Sequence, residues 1–177
     1  TLPDAVANSR KLMQAGAHVV KIEGGSELCD LVKTLAQAGT PTCVHLGLTP
    51  QSVNVFGGYK IQGRGDAAAE KMLTDAKSVV EAGAALLVLE CVPAELAKAV
   101  TEAVAVPVIG IGAGAATDGQ VLVMHDMLGM VHGRVPRFVH DFLTDERNSA
   151  RSIEGAFALY QQSVRDGSFP TEQHQFS

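Results

Sequence analysis

The feature that most restricts what this chain can fold into is an internal echo. Residues 15–23 read AGAHVVKIE and residues 82–90 read AGAALLVLE. Each copy is a helix end, a glycine stop, an apolar run and a closing glutamate. Glycine accepts the left-handed backbone that terminates a helix. The apolar run that follows reads as a strand covered on both sides. A strand recurring behind a helix in this way is a βα unit, and successive units of this kind build a parallel sheet wrapped in helices.

The rest of the chain keeps the same rhythm. Residues 3–15 read as a helix, with Pro3 suited to a first turn. Ser26 is placed to cap a second helix in which Leu28, Leu31, Val32 and Leu35 share a face. Residues 42–46 form the next strand. Asp66 begins a long helix that aligns Met72, Leu73, Ala76, Val79 and Val80. Pro93 opens another, running to about Ala103. Further strands are expected at 106–111 and 121–124. A closing helix is expected over 149–164, with Ile153, Ala156, Phe157 and Tyr160 inward. A (β/α)8 TIM barrel needs eight strands and typically ~250 residues. Here there are about five, and the chain opens on a helix. The expectation is an α/β fold in which residues 1–177 form a single, partial barrel domain, supplying about the last five βα units, with N-terminal residues absent from the chain. An open five-stranded sheet is the alternative.

Bulk properties narrow the function. The formal net charge is -5 and no polybasic run appears, which argues against a nucleic-acid partner. The longest apolar stretch, 82–89, is too short to span a bilayer, and no signal-peptide pattern opens the chain. A cytoplasmic protein with no membrane partner is expected. Cys29, Cys43 and Cys91 are odd in number and form no CxxC pair, so reduced thiols are expected rather than disulfides or structural zinc.

The chemistry-bearing residues sit at strand ends. Alternate residues of a strand share a face, so Lys21 and Glu23 point together, either as a structural ion pair or as site residues at a barrel rim. Glu90 ends an apolar run, where desolvation favours the neutral acid and suits a general base, unless the side chain has already reached solvent. His45 closes the second strand beside Gly47, and can be read as a core histidine or as part of a site. His125 and Asp126 can be read as site residues or as the polar start of a loop, and the second reading is preferred. The connection 47–65 is too long to be idle in a compact domain. It reads as a substrate-covering loop, with Val53, Val55 and Phe56 to bury. The glycines at 110, 112 and 114 give a weak anion-loop signal, or tight packing at a rim, and the run is not GxGxxG.

Taken together, VKIEGG at 20–25, HLGLTPQSVNVFGGYKIQGRG at 45–65, LLVLECVP at 86–93, PVIGIGAG at 107–114, DGQVLVMHDMLG at 118–129 and GSFP at 167–170, followed by His174 and Phe176, resemble the ketopantoate hydroxymethyltransferase family. The resemblance covers essentially the whole chain. It implies a (β/α)8 barrel and a cytoplasmic homo-oligomer, commonly a decamer. It also implies transfer of a hydroxymethyl group from 5,10-methylenetetrahydrofolate to 3-methyl-2-oxobutanoate, a step of pantothenate and coenzyme A synthesis. By the family's pattern Mg2+ holds the keto acid, Glu23 belongs to the metal site, Lys21 and His45 lie by the substrate, and Glu90 is the proton acceptor. The family's first third, with two metal-ligating aspartates and a substrate-contacting serine, has no counterpart in this chain. Gln173 stands where many relatives carry an acid. Two other readings are a Mg-dependent carbon–carbon lyase of the isocitrate lyase and phosphoenolpyruvate mutase type, and a non-catalytic assembly subunit.

Overall fold

A computed structural model of the chain describes residues 1–131 and 133–177. Helix α1 (Leu2–Gln14) leads into strand β1 (Val20–Glu23). Helix α2 (Cys29–Gln37), strand β2 (Thr42–Gly47), the short α3 (Val53–Phe56), helix α4 (Asp66–Glu81) and strand β3 (Leu86–Glu90) follow. Then come α5 (Ala94–Ala103), β4 (Val108–Ile111), the two-residue β5 (Gly119–Gln120), the one-turn α6 (Met124–Met127) and α7 (Ile153–Arg165). The five strands pair in chain order, every pair parallel. This is the neighbour order of a barrel wall, and it matches the expected run of βα units.

The echo folds as its residues dictate. Gly16 and Gly83 take positive φ values of 104° and 112°, ending the helices before β1 and β3. The alternation within each strand then sorts side chains between two faces. Val44, Leu46, Leu87, Leu89 and Val108 face the helices and pack against Val32, Ala76, Val79, Ala97 and Val100. Full burial of side chains of this size stabilises by roughly 1.5–3 kcal/mol each. The other face carries Lys21, Glu23, Cys43, His45, Val88 and Glu90. Helix α4 presents Met72, Ala76 and Val79 to the core as its spacing predicts.

Four expectations are corrected. Ser26 does not cap α2: it opens a 3-10 turn, Ser26–Leu28, and α2 begins at Cys29. The Ser26 N–H donates to Asp75 Oδ1 of α4 at 3.3 Å, which ties the start of this turn to α4. The strand expected at 121–124 is displaced to Gly119–Gln120, and Met124 begins α6. The reason is Asp118, whose carboxylate accepts the Val108 N–H at 2.8 Å while its own N–H donates to Val108 O at 2.9 Å. Pairing therefore starts early and ends when Val121 N–H reaches Gly110 O. The closing helix starts at Ile153, capped by Ser152, whose hydroxyl accepts the Gly155 N–H at 3.0 Å. Its inward face is Ala156, Leu159 and Tyr160, packed on Phe142 and Phe169, which leaves Ile153 and Phe157 exposed. Val55 of the 47–65 connection is also exposed, and Phe56 is the residue that packs inward.

Candidate active site at the strand ends

Parallel pairing fixes who meets whom. Glu23 is the register partner of His45, and Glu90 pairs with Gly47, two residues beyond His45 and on the same face. Three functional side chains from three adjacent strands therefore converge at one end of the sheet. His45 Nε2 lies 3.3 Å from Glu90 Oε2, and its Nδ1 lies 3.8 Å from Glu23 Oε1. Lys21 Nζ donates to the same Glu23 oxygen at 3.1 Å. The His45 side chain is 3% exposed, Glu23 9% and Glu90 15%, whereas Lys21 is half exposed. All four residues singled out by spacing are thus brought together. Neither nitrogen of the buried His45 ring completes a hydrogen bond of good geometry, so the ring is a polar group aimed into the site without a full partner.

Backbone geometry keeps these groups in place. Leu48 N–H donates to Glu90 O at 2.8 Å, and Gly24 N–H donates to His45 O at 3.2 Å. Gly47 has φ +89°, and a Cβ there would collide with the Glu90 carbonyl, so this position requires glycine. Cys91, directly after Glu90, adopts φ 50°, a left-handed conformation rare for a side chain with a Cβ. Burial, with the neighbouring Glu90 charge adding to it, pushes the Cys91 thiol up to about 12. That thiol is a packing group rather than a nucleophile.

The 47–65 connection lies over this end of the sheet. Gln51 N–H donates to Glu23 Oε2 at 3.1 Å, and Gln62 N–H donates to Cys91 O at 2.9 Å. Beneath it lies a cavity of about 420 Å³, lined by Glu23, His45, Thr49, Phe56, Gln62 and Lys71 among others. The glycines at 112 and 114 serve close packing: a Cβ at Gly112 would sit 2.6 Å from the Phe138 ring, and one at Gly114 2.7 Å from Ala94 Cβ.

Asp126, for which the loop-start reading is preferred from sequence, lies close enough to the candidate site to feel Glu90. Burial raises its carboxyl above the usual range, His125 opposes the shift and the charge of Glu90 adds to it. The one-turn helix α6 therefore brings a second acid within electrostatic reach of Glu90.

For a metal, Glu23 offers one carboxylate. Among the described residues no group of three or more His, Cys, Asp or Glu side chains is placed to hold an ion. Magnesium takes oxygen ligands and retains waters, so a single carboxylate suits a share of its shell.

Parallel strands that deliver two glutamates, a histidine and a lysine to one end of the sheet define an α/β fold with a candidate active site at its strand ends. The sequence profile of the ketopantoate hydroxymethyltransferase family matches residues 1–172, and the chain belongs to that family. It is 86% identical over 177 residues to the 3-methyl-2-oxobutanoate hydroxymethyltransferase of Psychrobacter cryohalolentis, covering 100% of this chain and 66% of that protein. It is 59% identical over 170 residues to the enzyme of that name from Yersinia enterocolitica, covering 96% of this chain and 63% of that protein. The chain thus spans slightly less than two thirds of these relatives' length. A loose structural likeness links it to a dihydrodipicolinate synthase of Agrobacterium tumefaciens. There the TM-score is 0.46 at 18% identity, over 68% of this chain and 42% of that one. No helix among the described residues is long and apolar enough to cross a membrane.

Proposed function

We propose that this chain, within a longer polypeptide that closes a (β/α)8 barrel, transfers a hydroxymethyl group from 5,10-methylenetetrahydrofolate to 3-methyl-2-oxobutanoate. The products are 2-dehydropantoate and tetrahydrofolate. Family membership supports the reading, and one observation carries it: the His45 ring stands 3.3 Å from the Glu90 carboxylate and 3.8 Å from the Glu23 carboxylate at one end of the sheet.

In this reading Glu90 accepts the proton from C3 of the keto acid. A base on a largely buried strand end meets the substrate out of bulk water, where proton transfer is directional. The resulting carbon nucleophile forms the new carbon–carbon bond to the folate-borne methylene carbon, and both carbon–nitrogen bonds of that carbon to folate break. Water supplies the hydroxyl oxygen, and the two released folate nitrogens take up the proton from C3 and one from water. Lys21 provides positive charge for the substrate carboxylate or for negative charge developing on its keto oxygen. His45 holds Glu90 in position and lines the substrate space. Glu23 would be this chain's ligand to Mg2+, with further oxygen ligands from the rest of the polypeptide. The ion, when bound, supplies Lewis-acid polarisation of the keto oxygen. A cytoplasmic homo-oligomer is part of the same proposal.

The test is turnover. The full-length protein, given the keto acid, methylene-folate and Mg2+, is expected to form 2-dehydropantoate and tetrahydrofolate in equal amounts. Absence of coupled product formation by a folded preparation contradicts the reading.

A further inference from the structure

We propose that residues 173–177 strap the 47–65 loop onto the strand end that carries Glu90, which makes Phe176 and Arg64 positioning residues for the site. The catalytic part of this inference rests on the function proposed above.

The segment runs across the same mouth as the site. Phe176 forms an isolated parallel bridge with Pro93, and its carbonyl accepts the Ala94 N–H at 2.9 Å. Ala94 is the first residue of α5, so the strap satisfies one of the donors that a helix start leaves free. The Phe176 ring packs edge-on to Phe138 with centroids 6.4 Å apart. Both rings belong to an apolar cluster with Leu48, Cys91 and Ile111, which Phe56 of α3 joins. Leu48 directly follows β2 and Cys91 directly follows Glu90. Phe176 therefore buttresses the two backbone segments that aim the site residues.

Two arginines tie the strap down by its carbonyls. Arg64, at the far end of the loop, donates Nε to Ser177 O at 3.1 Å. Arg137 donates Nε to Gln173 O at 2.8 Å. Between them Gln175 passes against the glycine run, where a Cβ on Gly114 would lie 3.2 Å from Gln175 Oε1. The loop is thus held by Leu48 to Glu90 O, Gln51 to Glu23, Gln62 to Cys91 O, and Arg64 to the strap. Releasing Arg64 loosens the end of the loop beside Cys91, which directly follows Glu90, while the sheet and its helix-facing core stay untouched.

Amide hydrogen exchange on the full-length protein reads this directly. Phe176→Ala and Arg64→Ala are expected to speed exchange within 47–65 and 91–94 roughly five- to tenfold, the scale of one lost hydrogen bond or ring contact, with the sheet unchanged. In turnover, kcat is expected to fall by more than KM rises, and Phe176→Leu is expected to restore much of both. Unchanged exchange in 47–65 overturns the proposal. So does faster exchange spread evenly across the sheet, which would mark a general loss of stability. The exchange measurement needs no turnover, so an inactive wild type would sink the functional reading while leaving the strap to be judged on its own.

Discussion

His45 and Glu90 come from neighbouring parallel strands, and the ring Nε2 stands 3.3 Å from the carboxylate Oε2. On its other side the ring Nδ1 is 3.8 Å from Glu23 Oε1. The buried ring separates two glutamates that would otherwise repel at close range. It also gives each carboxylate a fixed polar neighbour. His45→Leu keeps a side chain between the two carboxylates but removes their polar neighbour and leaves Glu90 and Glu23 facing an apolar group. The expected result is a loss in kcat/KM of roughly ten- to hundredfold with the fold retained. Steady-state kinetics beside near-ultraviolet circular dichroism would reveal it, and normal turnover by the variant would argue against a site role for the ring.

Gly47 should be intolerant of any side chain. Its φ is +89° and an added Cβ would meet the Glu90 carbonyl. Crowding costs about 1–3 kcal/mol and left-handed backbone about 1–2 kcal/mol more. Gly47→Ala is expected to lower the urea midpoint markedly and to cut activity, because relief must come from moving Glu90. Gly39→Ala is a useful contrast: it also has positive φ, but no atom within 4 Å of the added Cβ. It should cost less and spare activity.

Acid stability has an identifiable contributor far from the site. Asp145 accepts two hydrogen bonds from the Arg147 side chain, Nη2 at 2.8 Å and Nε at 3.0 Å, and lies 2.6 Å from His140 Nε2. The Arg147 hydrogen bonds hold its carboxyl well below the usual range, burial opposes them, and His140 adds to the lowering. A depressed carboxyl contributes stability above its unfolded value of ~3.9, and that contribution is lost as pH falls through the folded value. Asp145→Asn should therefore be less stable than the parent at pH 6, with the gap closing below about pH 4. Denaturant melts across that range test it, and a constant gap would count against the assignment.

The thiols should differ in reactivity. Cys43 and Cys91 are buried, and burial raises both. Cys29 is only partly covered, although its thiol is also raised, chiefly by burial with nearby acids adding. Under native conditions at mildly alkaline pH, an alkylating reagent should modify Cys29 first. Mass spectrometry of the digested protein shows the order, and early loss of Cys91 would imply that the strand end opens readily.

Much of this arrangement was legible in the sequence because two simple periodicities carried it. The echo fixed β1 and β3, and alternation within them put Lys21, Glu23 and Glu90 on one face. His45 followed once β2 was placed between them, since parallel pairing leaves little freedom of register. What the sequence concealed depended on distant partners. Asp118 drew the fifth strand to Gly119–Gln120 by taking Val108 N–H through its side chain. Ile153 and Phe157 have helical spacing suited to burial, yet α7 turns Leu159 and Tyr160 toward Phe142 and Phe169. Ser26 opens a 3-10 turn instead of capping α2, and its N–H is taken by Asp75 of α4, 49 residues on. At β5 and α7 a tertiary hydrogen bond or packing partner outweighed the local preference.

The central claim is that Glu90 takes a proton from C3 of the keto acid, and deuterium exchange at that carbon isolates the step from folate chemistry. In heavy water with Mg2+ and no folate, the full-length protein should wash deuterium into C3 of 3-methyl-2-oxobutanoate, followed by proton NMR. Glu90→Gln should slow that exchange by about 10²- to 10⁴-fold, the usual contribution of a positioned general base. Exchange at the wild-type rate in the Glu90→Gln protein would contradict the account.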